Sequence, residues 1–335
     1  MTNRERFTAV LDGEKPDRAP RTEWAPHWDK TLERWYGEGV PHVENGLPHQ
    51  ININRYFGLD QIWQFCLPMR TADCPKAAYH GAPVLYDEED YAVFREKYLC
   101  TDALLEDVRR GVEAYLKADP DGEFVFWLTL EGFFWYPRTL FGIENHLYAF
   151  YDHEELMLQM NRDACEFYKK ALPIVFERVH PQFMTFAEDM SYNHGPMLSH
   201  EQFEKFVRPF YEEIVPILKS VGTKVFIDTD GFVEPLIPWF LECGIEGILP
   251  LERQAGVDIN RIRAAYPQLL MLGAYDKTVM KNGEATMRAE FERIRPVIQS
   301  GRYIPGVDHQ TPPDVSVENY RTYLRLLREY TVYEK

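Results

Sequence analysis

What the chain lacks narrows the field first. No run of apolar residues approaches the roughly 20 needed to cross a bilayer, and the opening stretch Met1 to Gly13 reads as a polar helix rather than a secretory leader. No cluster of Lys and Arg interrupts a formal net charge of -16, so a phosphate backbone would be repelled and neither nucleic acid nor a membrane is expected as a partner. The five cysteines, Cys66, Cys74, Cys100, Cys165 and Cys243, show no paired short spacing of the kind that zinc or redox sites use. They are read as reduced, mostly buried thiols of a cytoplasmic protein. No linker rich in Gly, Pro and Ser, no low-complexity tract and no repeat of solenoid length is present. One domain spanning 335 residues is therefore expected.

What is there is a globular composition, 45% hydrophobic and 27% charged, with a high aromatic share of 14%. Thr2 with Glu5 forms a capping box for a first helix carrying Phe7, Val10 and Leu11, which Asp12-Gly13 stops. Apolar runs that end in polar or acidic residues then alternate with longer helical patterns. The strand candidates are Ala19 to Ala25, Leu59 to Phe65, Phe124 to Glu131, Phe183 to Asp189, Lys224 to Asp230, Gly247 to Glu252, Leu269 to Tyr275 and Tyr303 to Asp308. Strands alternating with helices in this number predict an α/β fold, a single (β/α)₈ barrel with an N-terminal helical extension. Ser199 with Gln202 caps a helix that Gly222 ends, and Asp152 with Glu155 is read as the start of another. Pro173, Pro209 and Pro216 should kink or break their helices. The segment Pro68 to Asp102 fits neither rhythm, and its apolar runs Ala82 to Tyr86 and Tyr91 to Phe94 suggest a β-hairpin insertion near the barrel mouth.

In such a barrel the chemistry sits at the C-terminal ends of the strands. The residues there are repeatedly acidic: Glu23, Glu131, Glu188 with Asp189, Asp228 with Asp230, Glu252, Asp276, and Asp308 with His309. Helix capping or pairing with arginine accounts for roughly half of such acids. Carboxylates crowded together cannot all ionise cheaply, so at least one should keep its proton near neutral pH and could serve as a general acid, a role His309 could share. Aromatic residues follow the same strands. Glu131-Gly-Phe-Phe-Trp-Tyr-Pro137 places Phe133, Phe134 and Trp135 directly after one, and Trp24, His27, Trp28 and Tyr192 follow others, a lining suited to a planar substrate.

At these residues the chain resembles the uroporphyrinogen decarboxylase superfamily, over nearly its whole length. The stretch Arg4 to Pro20 is similar to the family's opening helix and its turn into the first strand. Glu188-Asp189, the turn Gly195-Pro-Met-Leu-Ser199 and the helix to Pro209-Phe-Tyr211 are similar to its middle signature, and Gly306-Val-Asp-His-Gln-Thr-Pro-Pro-Asp314 with Glu318-Asn-Tyr320 to its closing one. The departures matter as much. The decarboxylases carry an arginine-rich loop after the first strand, whereas Glu23-Trp-Ala-Pro-His-Trp28 has no arginine, and Leu128 stands near the position of an expected tyrosine. The thiol methyltransferases of the superfamily bind zinc through a His-x-Cys pair and a later Cys. Here those positions read Asp228-Thr-Asp230 and Val307, so no metal is expected, a divalent ion on Asp228, Asp230 and His309 being the alternative to simple hydrogen bonding.

The resemblance therefore implies the corrinoid-dependent methyltransferase branch, in which a methyl group passes from a methylated substrate to the cobalt of a cobalamin carried by a separate corrinoid protein. The aromatic lining then favours a phenyl methyl ether of the methoxyphenol type, its ring among Trp24, Phe133, Phe134, Trp135 and Tyr192, with Glu131, Asp228 and Asp308 completing the pocket. Phenolate leaves reluctantly, so an acid must meet the ether oxygen, and Glu188, Asp189, Asp230 and His309 are the candidates in no fixed order. A homodimer is expected from the resemblance alone. The competing readings are a decarboxylase or lyase for an aromatic or tetrapyrrole acid, which would need a cation from Arg21, Arg138, Arg253 or Lys277, and a noncatalytic binding barrel.

Overall fold

The computed structural model describes residues 1–42 and 47–334. Seven parallel strands run in chain order around one curled sheet: β1 (Ile62–Cys66), β2 (Val125–Glu131), β3 (Phe183–Ala187), β4 (Lys224–Asp228), β5 (Gly247–Leu249), β6 (Leu270–Tyr275) and β7 (Tyr303–Val307). Successive side chains of a strand point to opposite faces. On β2 this sends Val125 and Trp127 into the barrel, while Phe126, Leu128 and Leu130 join the larger core beneath the surrounding helices. The result is the α/β barrel that the strand rhythm predicts.

The eighth expected strand, Ala19 to Ala25, has no regular structure and joins no ladder. Pro20 has no N–H to offer, and the neighbouring backbone groups find other partners. Arg21 donates its N–H to the Asp60 carboxylate at 2.9 Å and accepts the Asp60 N–H at 2.8 Å. On the other side Glu23 Oε2 accepts the Val307 N–H at 3.2 Å, and Trp24 Nε1 donates to the Val307 carbonyl at 2.9 Å. The segment thus closes the seam between β7 and β1 by mixed contacts. Gly306 is what permits the approach, because a Cβ there would lie 2.9 Å from the Thr22 carbonyl oxygen.

Helix α1 (Asn3–Leu11) carries the expected capping box, with Thr2 accepting from the Glu5 N–H and Glu5 accepting from that of Thr2. Its buried face, Phe7, Val10 and Leu11, plugs the N-terminal end of the barrel against Ile62, Phe183 and Ile304. The insertion between β1 and β2 corrects the hairpin expectation. Tyr91 to Phe94 lie within the helix Glu88–Lys97, which Asp87 caps by accepting the Asp90 N–H and whose first turn is acidic. The stretch Ala82 to Tyr86 is irregular, with the N–H groups of Val84 and Leu85 both donating to the Leu140 carbonyl. A small hairpin does stand near the mouth, but after β3, formed by Ser191–Tyr192 and Gly195–Pro196.

Among the helices, Ser199 and Gln202 form their capping box as expected. Asp152 instead ends the helix Ile143–Asp152, and the next begins at Glu154. Pro209 opens the helix Arg208–Lys219 after a break at Val207, Pro173 and Pro216 are carried inside helices, and Gly222 takes the positive φ that ends the segment. Among the described residues no helix is long and apolar enough to cross a membrane. The plug supplies a test of this packing: Phe7 is fully buried and stacks on Phe183 at 5.2 Å, so Phe7→Ala should cost about 3–5 kcal/mol in urea unfolding, whereas a loss below ~1 kcal/mol would show that α1 does not plug the barrel.

Candidate active site at the barrel mouth

The aromatic rings inside the barrel form a column that ends at the mouth. Phe183 stacks on Trp127 at 5.4 Å, Trp127 meets the edge of Trp24 at 6.5 Å, and Trp24 meets His309 at 5.8 Å. Trp24 is fixed by its indole hydrogen bond to Val307 and so forms a stiff floor. Above it opens a cleft of about 240 Å³, walled by Trp24, Trp135, Ala187, Glu188, Asp189, Asp228, Asp230 and His309. That volume falls below the ~300–1,000 Å³ usual for pockets of drug-sized ligands, and it suits a single ring better than a tetrapyrrole.

The acids of the cleft share one problem, which is that they are crowded and poorly hydrated. Asp228, at the end of β4, is pushed well above the carboxylate range, first by burial and then by the charges of Asp230 and Asp189. Asp230 is pushed up to about 7 by burial, by Asp189 and by Glu252, with Lys277 pulling the other way. His309 lies 3.9 Å from Asp230, and burial followed by the Lys277 charge moves its imidazole below the usual range, so it is mainly neutral. Asp189 has a left-handed backbone, φ 45°, and Arg138 donates to its carbonyl at 2.7 Å, which fixes the turn between β3 and the small hairpin. Asp308 is fully buried beneath this layer. It accepts the Arg253 N–H at 3.1 Å and the Lys277 ammonium at 3.3 Å, and burial still lifts it to about 6.

Glu188 differs from its neighbours because its lone pairs are taken. Its carboxylate accepts the backbone N–H groups of Phe133 and Phe134 at 2.8 Å each and of Trp135 at 3.1 Å, together with the Tyr211 hydroxyl. Burial lifts it to about 7 while these donors hold it down. The carboxylate thereby seats the turn that starts the helix Trp135–Phe141 and aims Trp135 into the cleft. Gly132 makes room for it, since a Cβ there would come within 2.0 Å of the Glu188 carboxyl carbon. A glycine directly after Glu131 was the one sequence signal of this close approach.

Of the twelve site residues named from the sequence, Trp24, Trp135, Glu188, Asp189, Asp228, Asp230 and His309 come together around the cleft. The others do not line it. Phe133 and Phe134 are 1% and 0% exposed and point into the helical core, packing on Phe186 and Tyr211 and on His146 and Phe150 respectively. The sequence pattern puts these loop aromatics at the barrel mouth around the substrate, but the turn seated on Glu188 rotates both inward. Glu131 is paired with Arg70, Asp308 lies beneath the cleft, and Tyr192 is 48% exposed on the small hairpin. The four cations are also engaged: Arg21 with Thr331 and the Arg328 carbonyl, Arg138 with Asp189 at the edge of the cleft, Arg253 with the Val257 carbonyl, and Lys277 with Asp308 and Glu252.

A parallel barrel whose acids and indoles converge at the C-terminal ends of its strands defines the class of protein, and comparison with known proteins places it further. The Uroporphyrinogen decarboxylase (URO-D) family profile matches residues 154–330, more than half of the chain. The chain belongs to the uroporphyrinogen decarboxylase family. A methyltransferase from Methanosarcina mazei shares the fold, with a TM-score of 0.68 and 16% sequence identity over 98% of this chain and 99% of that one. No curated protein sequence matches.

The raised carboxyls have a consequence for stability. Glu23, Glu188, Asp228, Asp230 and Asp308 hold protons that the unfolded chain has released by pH 5, so native binding of protons exceeds unfolded binding and stability falls as pH rises from about 5 to about 7. His146 and His309, lowered by burial, act in the opposite sense in that window but are fewer. The urea midpoint should therefore decline from pH 5 to pH 7, and a rise over that interval would contradict the assignment of protonated acids.

Proposed function

We propose that the protein moves a methyl group from a small phenyl methyl ether to the cobalt of a corrinoid held by a separate partner protein, releasing the free phenol in the cytoplasm. One observation carries this reading. The cleft sets carboxylic acids that stay protonated near neutral pH beside two indoles, with no uncommitted cation among its walls. A polycarboxylate such as a porphyrinogen would meet negative charge there, while a neutral aromatic ether would meet a hydrogen-bond donor and apolar faces.

The corrinoid, when bound, supplies a reduced cobalt that is nucleophilic enough to accept a methyl group. A cleft of about 240 Å³ holds one aromatic ring and not a corrin, which fits a cofactor presented from outside the mouth by its own carrier. The chain's part is to hold the ring and to manage one proton. Trp24, fixed by Val307, and Trp135, aimed by the Glu188 seat and backed by Arg138 at 5.1 Å, offer the two aromatic faces. As the methyl carbon–oxygen bond breaks, Asp230 gives its proton to the departing oxygen, which leaves as the neutral phenol. Asp230 suits this better than its neighbours, because a pKa near the operating pH combines a high protonated fraction with a ready donor. Asp228 stays neutral and adds no charge against the developing phenolate.

Replacing Asp230 by Asn should lower the rate of phenol release by ~10²–10⁴-fold while leaving substrate affinity nearly unchanged. The test mixes the protein with a reduced corrinoid protein and 2-methoxyphenol, following phenol release and the corrinoid absorption spectrum. Equal losses in affinity and rate would reduce Asp230 to a positioning role, and absence of turnover in the unsubstituted protein, with a corrinoid protein known to accept methyl groups, would overturn the reading. In the same assay the rate should fall as pH rises through about 7, where Asp230 loses its proton. A rate that rises through this range would exclude Asp230 as the acid.

A further inference from the structure

The polar walls of the cleft differ in what they have left to offer a ligand. Glu188 spends its oxygens on three backbone N–H groups and the Tyr211 hydroxyl. Asp189 turns one oxygen to the Asp230 N–H at 3.4 Å and the other toward Arg138 at 4.0 Å. The Trp24 indole N–H is taken by the Val307 carbonyl. Asp228 and Asp230 keep their protons and so present donors.

His309 alone among the described walls has an uncommitted nitrogen acceptor. Its ring stands nearly perpendicular to Trp24, at 5.8 Å and 83°, a contact that orients the imidazole without using either nitrogen. Nε2 lies 3.9 Å from Asp230 Oδ2, which is too far for a hydrogen bond. Neither ring nitrogen bonds to another described residue, and neither is fully buried. Burial, and then the Lys277 charge, keep the ring mainly neutral, and a neutral imidazole has one nitrogen that donates and one that accepts.

A carboxyl hydrogen and an imidazole acceptor thus stand side by side, 3.9 Å apart, on a cleft sized for one ring. In the reaction proposed above, the carboxyl hydrogen belongs to the ether oxygen. The acceptor beside it calls for a second oxygen that carries a hydrogen and lies close to the first. A hydroxyl on the adjacent ring carbon meets both conditions, whereas a hydroxyl across the ring is carried away from His309, and a second methoxy group has no hydrogen to give.

We infer that His309 sets the substrate specificity, accepting a hydrogen bond from a hydroxyl ortho to the methoxy group while Asp230 meets the methoxy oxygen. This rests on the methyl-ether reading and narrows it, from phenyl methyl ethers in general to those with a vicinal hydroxyl.

Binding alone tests it, without corrinoid or turnover. Titration calorimetry on the intact protein compares 2-methoxyphenol with 4-methoxyphenol, whose hydroxyl lies across the ring, and with 1,2-dimethoxybenzene, whose second oxygen has no hydrogen. One net hydrogen bond should make 2-methoxyphenol bind about three- to tenfold tighter than either. His309→Phe keeps a ring against Trp24 but has no acceptor, so the three affinities should converge through a loss confined to 2-methoxyphenol. His309→Gln, whose amide oxygen restores an acceptor, should recover part of the preference, which a merely structural effect on the cleft would not do. Equal affinities in the unsubstituted protein, no binding of any of the three, or a preference that survives in a folded His309→Phe protein would overturn the inference. Should circular dichroism show that His309→Phe does not fold, His309→Ala makes the same comparison. Methyl transfer that fails while the ortho preference persists would remove the proposed reaction and leave the role of His309 in binding standing.

Discussion

Carboxyl groups at the ends of neighbouring barrel strands cannot all be charged when little water reaches them. Parallel strands deliver the side chains after β3, β4, β5 and β7 to one rim, and in this chain those side chains are acids. The two available remedies are partners and protons. Lys277 serves Asp308 and Glu252, Arg70 serves Glu131, and the backbone amides after β2 serve Glu188. Asp228 and Asp230 are left mainly with the other remedy, which burial also imposes in part on Glu188 and Asp308, and they keep their protons. The chemistry we propose follows from that residue of unpaired acids.

The contrast between Glu188 and Asp230 shows how environment rather than residue type assigns the roles. Both closely follow a strand. Glu188 is surrounded by three N–H groups and a tyrosine hydroxyl, so it organises the turn that aims Trp135 and has no capacity left for a substrate. Asp230 is half-exposed to the cleft, faces His309, and is raised by burial and then by the charges of Asp189 and Glu252 rather than held by donors. One acid builds the site and the other is free to act in it.

Much of this was legible in the sequence, and the failures have physical causes. Seven of the eight strand runs pair as expected because their apolar residues serve both faces of a buried parallel sheet. The eighth segment is more polar and contains Pro20; Asp60 takes up the Arg21 backbone groups, and the side chains of Glu23 and Trp24, rather than a ladder, meet the Val307 backbone. The run Tyr91 to Phe94 looks like a strand in isolation, yet the acidic cap before it decides for a helix. Phe133 and Phe134 followed a strand and therefore seemed to face the mouth. Their inward rotation depends on a carboxylate 54 to 55 residues later in the chain, which no local pattern reveals.

The proposed chemistry requires that the mouth of this barrel present protonated carboxylic acids at neutral pH. Infrared difference spectroscopy reads that state directly through the carbonyl stretch of a protonated carboxyl, which an ionised group lacks. At pH 7 the protein should show protonated-carboxyl absorption that diminishes in Asp228→Asn and, as the pH is carried through about 7, loses the part belonging to Asp230. Bands that are absent at pH 7, or that persist unchanged in the Asp228→Asn protein, would mean that the cleft is ionised and that its acids cannot meet the departing oxygen with a proton.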